Sequence, residues 1–195
     1  MSEHAALPRA PRVAKPNGWW GMAIFIATEA TLFGTIFGSY YYLRFKAPHW
    51  PPPGIAPPSV TVPLVLAFVL VATSVPMVLA LRAARGGRIG AARRALLAAL
   101  VVQAGFFAMQ TSLFQDDLAK FSPQGSAYGS IYFTMLGAHQ AHVAAGLLLD
   151  VWLIGKLARG LTRYRLVALQ SITLYWHFVN LLALLVVGAQ LSARL

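Results

Sequence analysis

Residues Gly18 to Leu43 read GWWGMAIFIATEATLFGTIFGSYYYL, an apolar run whose only charged side chain is Glu29. At about 1.5 Å per residue, a helix of this length crosses a bilayer core of about 30 Å. An ionised side chain at mid-membrane costs about 2.5–3.5 kcal/mol on insertion scales, so it is paired, protonated or turned toward protein. Glu29 is therefore a candidate functional acid, with a packed, protonated acid as the plain alternative.

Outward from this stretch, uncharged runs recur at residues 47–81, 95–115, 121–149 and 166–193. Hydrophobic residues make up 58% of the 195-residue chain and charged ones only 11%, far from the balance of a soluble domain. The pattern predicts an all-α polytopic membrane protein. Its five transmembrane helices would cover about residues 18–43, 60–81, 94–114, 127–154 and 166–192, after an N-terminal segment at residues 1–17.

The net charge of +11 is a topology signal rather than a nucleic-acid surface, because of where the charges lie. Twelve basic residues (Arg9, Arg12, Lys15; Arg82, Arg85, Arg88, Arg93, Arg94; Lys156, Arg159, Arg163, Arg165) fall in segments on one side of a five-span chain. Four basic residues (Arg44, Lys46, Lys120, Arg194) fall on the other, with Asp116 and Asp117. The positive-inside rule then places the N-terminus in the cytoplasm and the C-terminus outside. The first apolar run is about twice the length of a signal h-region, which argues against a cleaved signal. The absence of cysteine excludes disulfides, thiolate metal sites, c-type haem attachment and Cys-bridged copper.

Six prolines in residues 48–58 make the first outside loop extended, with Trp50 expected at the membrane interface. Pro76 predicts a kink in the second span, where Thr73 or Ser74 is positioned to satisfy the freed carbonyl. Polar stripes line the spans. Gly34 and Gly38 allow a close helix contact, and Glu29 sits about 140° and about 180° from them, so it points elsewhere. In the fourth span His139 and His142 are one turn apart, with Gly146 and Asp150 continuing that face. Gln170, Thr173, His177 and Asn180 form a stripe in the fifth. For the histidines, hydrogen bonding between helices competes with metal ligation as an explanation.

Three segments, in order, resemble subunit III of the haem–copper terminal oxidases, the cytochrome c and quinol oxidases of respiratory chains. They are Phe25-Ile-Ala-Thr-Glu29-Ala-Thr-Leu-Phe33, the Gly-x-His139-x-x-His142-Val-x-x-Gly146 helix that begins near Tyr128, and Tyr175-Trp176-His177-Phe178-Val179. The loop His49-Trp50-Pro51-Pro52-Pro53 fits as well, and the likeness extends over about residues 17–190. Two positions depart from the pattern. Asn180 stands where the family commonly has Asp, and Gln110 is followed by Leu113 where a Gln-x-x-Glu motif is frequent. Glu29 is then expected to be the one acid well inside a span, and the departures also fit a branch associated with nitric oxide reductases.

The resemblance implies a core subunit without an active site of its own, belonging to a proton-translocating oxidoreductase complex of a bacterial inner membrane. It implies haem and copper in partner subunits and none in this chain, bound phospholipid in a cleft between two groups of helices, and packing on subunit I beside subunit II. Glu29 would face subunit I or the cleft and support proton uptake. His139, His142, His177, Asn180 and Gln110 would be core polar contacts. Two other readings use the same residues: a free-standing proton or ion transporter with Glu29 as carrier, and a b-type cytochrome with haem between His142 and His177.

Overall fold

Proline, glycine and small polar residues set the ends of the helices. A computed structural model describes residues 16–194; the N-terminal segment with Arg9, Arg12 and Lys15 lies outside the described residues. Pro16 precedes α1 (Asn17–Lys46), which stops where Ala47, extended ahead of Pro48, leaves helical geometry. The second span is two helices, α2 (Thr61–Ala72) and α3 (Ser74–Arg85). They join at Thr73, whose N–H bonds to Leu70 O at 3.0 Å in a tightened turn. Pro76 has no N–H to offer Ala72, so the ladder is interrupted at this point. Gly87, at φ 71°, turns the chain into α4 (Ile89–Lys120). Ser126 caps α5 (Ala127–Leu157) and Thr162 caps α6 (Arg163–Ser192), each side chain accepting a hydrogen bond from a first-turn backbone N–H.

The helices are grouped around the α5–α6 pair. α6 touches α1, α2, α3 and α5, while α4 closes the opposite side through α2, α3 and α5. Among the described helices α1 touches α5 and α6 and no others. Among the described residues the five spans form one bundle. The two groups with a cleft between them, implied by the family resemblance, are not separated here, because α5 and α6 are shared by both sides.

Burial follows the sequence stripes. One apolar core gathers Leu70, Met77, Leu96, Val143, Leu153 and Trp176 from α2 to α6. A second, more aromatic, joins Tyr40, Tyr128, Tyr132 and Phe133 with the proline loop. Trp50 belongs to this second cluster: its indole N–H donates to Tyr40 Oη at 3.1 Å and its ring meets Tyr128 edge-on. It thus ties the loop to the bundle.

Large apolar side chains cover the outside, among them Ile24, Phe45, Val101 and Leu148. Such a surface is suited to lipid rather than water. Four spans, α1, the α2–α3 pair, α4 and α6, are long and apolar enough to cross a membrane by length and composition alone. α5 is as long, at 31 residues, but its His139, Gln140, His142 and Asp150 dilute the apolar signal. Those side chains are directed largely at protein. The chain is an all-α, multi-pass membrane protein.

Candidate functional site

The inner face of α1 is the line Met22, Ile26, Glu29, Phe33, Ile36 and Tyr40, at helical spacing. This line turns Glu29 toward α5. Its Oε2 lies 3.0 Å from His142 Nε2, and the two side chains are only 20% and 14% exposed. The other ring nitrogen of His142, Nδ1, lies 2.8 Å from Ala138 O. A carbonyl oxygen can only accept, so Nδ1 carries a proton. Nε2 then meets Glu29 in one of two arrangements: a neutral acid donating to a neutral imidazole, or an imidazolium donating to a carboxylate. Either way one proton lies between the two residues. Phe33 stands edge-on to the imidazole at 5.2 Å, and Tyr175 Oη donates to His142 O at 2.7 Å, so the ring is fixed from α1 and α6.

The glycine stripe is placed the other way round from the close-contact expectation. A Cβ at Gly34 or Gly38 would meet nothing within 4 Å. The stripe faces outward, and α1 approaches its neighbours through Phe33, Ile36 and Tyr40 instead.

His139 and His142 do not act as a pair. Three residues apart, they differ by about 60° around α5, so His142 reaches α1 while His139 points between α4 and α6, edge-on to Phe106. Gly146 and Asp150 do continue the His139 face. Gly146 is the point of closest approach to α6: a Cβ there would lie 2.6 Å from Trp176 Cζ2. Asp150 is fully buried, so Glu29 is not the one acid inside a span. Its Oδ2 accepts from the Gln103 amide at 2.9 Å, in the amide orientation that satisfies both of that group's ends. Asp150 falls inside the expected span of residues 127–154, but close to its end, and spacing along the helix does not show how deeply the bundle buries it.

On α6, His177 Nδ1 is 3.2 Å from Ser74 Oγ, and Asn180 Nδ2 donates to the same oxygen at 2.9 Å. Ser74, at the break between α2 and α3, is thus used to hold the two half-spans against α6 rather than to cap the carbonyl freed by Pro76. Thr173 bonds back within its helix to Leu169 O. Gln110 faces a small internal cavity with His139 and Gln190. His142 and His177 are therefore engaged with α1 and α3 respectively. Among the described residues no group of three or more His, Asp or Glu side chains is gathered to hold a metal ion.

One polar connection was not visible in the sequence. α4 runs to Lys120, beyond the expected span end near residue 114, so Asp117 is helical and turns inward. Tyr132 Oη donates to Asp117 Oδ2 at 2.6 Å and accepts from Gln190 Nε2 at 3.2 Å. The only hint of it is the spacing Asp117–Lys120, a one-turn ion pair.

The family profile described as Cytochrome c oxidase subunit III matches residues 11–188, which takes in the Glu29–His142 pair and the Ser74–His177–Asn180 cluster. The chain belongs to the cytochrome c oxidase subunit III family. Among its subunit III relatives, the Pseudomonas aeruginosa protein Cytochrome bo(3) ubiquinol oxidase subunit 3 is 31% identical over 173 residues, 85% of this chain and 79% of the relative. Cytochrome c oxidase subunit 3 of Bacillus subtilis is 28% identical over 178 residues, covering 90% of this chain and 86% of that protein. The Mus musculus Cytochrome c oxidase subunit 3 is 30% identical over 168 residues; the chain spans 83% of its own length there and 64% of the mouse protein's. These subunit III relatives are named for both a cytochrome c oxidase and a ubiquinol oxidase.

Proposed function

We propose that the chain is the non-catalytic subunit III of a respiratory haem–copper oxidase in a bacterial inner membrane. The observation that carries this reading is a family match across nearly the whole chain that includes a membrane-depth acid held by an imidazole. In this reading the chain seats on subunit I, with subunit II in the same complex, and binds phospholipid along its apolar outer faces. Haem and copper reside in the partner subunits, and the electron donor is cytochrome c or a quinol. Glu29 supports proton delivery to subunit I and the endurance of its oxygen-reducing site. What favours that role is that the Glu29–His142 pair holds a proton in a hydrogen bond that persists in two protonation arrangements.

The test is isolation of the chain in mild detergent with whatever accompanies it. Co-purification of two larger oxidase subunits, with an a-, b- or o-type haem spectrum in the complex, is the expected result. After separation the chain itself should carry no stoichiometric haem, copper or zinc. A haem Soret band that stays with the separated chain would instead favour a b-type cytochrome.

A further inference from the structure

A cavity of about 10 Å³ lies between α2, α4, α5 and α6, walled by Pro63, Ala183 and Val186 and lined on its polar side by Gln110, His139 and Gln190. That is room for one water molecule, which needs about 10–15 Å³ by this measure. The polar lining is built for such a guest. His139 is 3% exposed, and neither of its ring nitrogens has a protein hydrogen-bond partner. Gln190 is 2% exposed, and the orientation of its amide is fixed from outside the cavity. Tyr132 spends its hydroxyl proton on the Asp117 carboxylate, so its oxygen accepts from Gln190 Nε2. Gln190 Oε1 is left without a protein donor.

A neutral imidazole offers one N–H and one lone pair, and a carboxamide oxygen can only accept. Among the described residues no protein group bonds either to Gln190 Oε1 or to a ring nitrogen of His139. A water can bond to both at once, and buried waters typically make about three hydrogen bonds.

We propose that this cavity binds one ordered water, which donates to Gln190 Oε1, bonds to a ring nitrogen of His139 and takes the Gln110 amide as its third partner. The water completes a continuous hydrogen-bonded line. It runs from Lys120 and Asp117 at the C-terminal end of α4, through Tyr132 and Gln190, to His139 about 18 Å along α5 from its first residue. The line ties α4, α5 and α6 together along a face of α5 about 60° around from the one that carries His142.

A map of the assembled oxidase containing this chain, at a resolution that shows ordered waters, tests the site without any substitution. The expected result is a solvent peak within hydrogen-bond reach of both His139 and Gln190 Oε1. A map that shows waters elsewhere in the bundle but none here, or a direct bond between His139 and another side chain, overturns the proposal. Thermal midpoints of the complex give a second measurement. His139→Leu and Gln190→Leu should each lower the midpoint, and the double variant should lose less than the sum, since two apolar partners no longer need the water. Strictly additive losses would count against a shared guest.

Discussion

Glu29 and His142 share a proton that either residue can hold, so two substitutions at position 29 separate hydrogen bonding from titration. In Glu29→Gln the amide N–H can still donate to His142 Nε2, whose tautomer is set by Ala138 O. That variant should assemble at normal yield. Its sustained oxygen consumption should fall, or its active lifetime shorten, most at high pH where proton supply limits. Glu29→Leu leaves His142 Nε2 without a partner at a cost of about 1–3 kcal/mol, so assembly itself should weaken. Equal turnover and lifetime for wild type and the Gln variant across the pH range would leave Glu29 a structural acid only. At this scale the acid was legible in the sequence, because a lone charge in an apolar run is conspicuous. Its partner was not. His142 lies 113 residues away, and one-turn spacing put His139 and His142 on one face, which an offset of about 60° divides between different neighbours.

At the scale of the elements, the contact between α5 and α6 depends on Gly146. Trp176 is fully buried, and its ring lies where a methyl group on residue 146 would go, so neither partner can give way. Gly146→Ala should destabilise the α5–α6 pair by about 1–3 kcal/mol through overpacking, read as a lower thermal midpoint or lower yield of the complex. Gly155→Ala, on the same helix with nothing within 4 Å of the new methyl, should be neutral or slightly stabilising and serves as the control. The helices themselves were legible as runs of apolar residues, and their ends follow from Pro48, Gly87, Ser126 and Thr162. Two features were not. Asp116 and Asp117 ended an apolar run without ending the helix, since a carboxylate that finds Tyr132 need not leave it. The small residues of α1 matched a contact motif, yet spacing alone does not say which face of a helix meets its neighbours.

For the whole molecule, the charge distribution makes an independent prediction. Reporter fusions placed after Gly87 and after Gly160 should both read cytoplasmic, and a periplasmic reading at either would reverse the arrangement. The order in which the bundle can form is constrained as well. α1 is fastened to later parts of the chain at three depths: Gly18 O to Ser171, Glu29 to His142, and Tyr40 to Ala189 O, across 153, 113 and 149 residues. At about 5–20 residues per second, the ribosome delivers His142 roughly 6–23 s after Glu29. Throughout that interval a carboxyl group must wait in the membrane without its mate, the kind of exposed polar group that quality-control proteases and insertion chaperones recognise. A nascent chain stopped after Lys120 should therefore be short-lived in cells. Glu29→Leu should lengthen its half-life in a pulse-chase experiment while shortening that of the full chain. The same side chain that completes the finished subunit would thus serve as a timer on its biogenesis, penalising every copy that fails to reach α5.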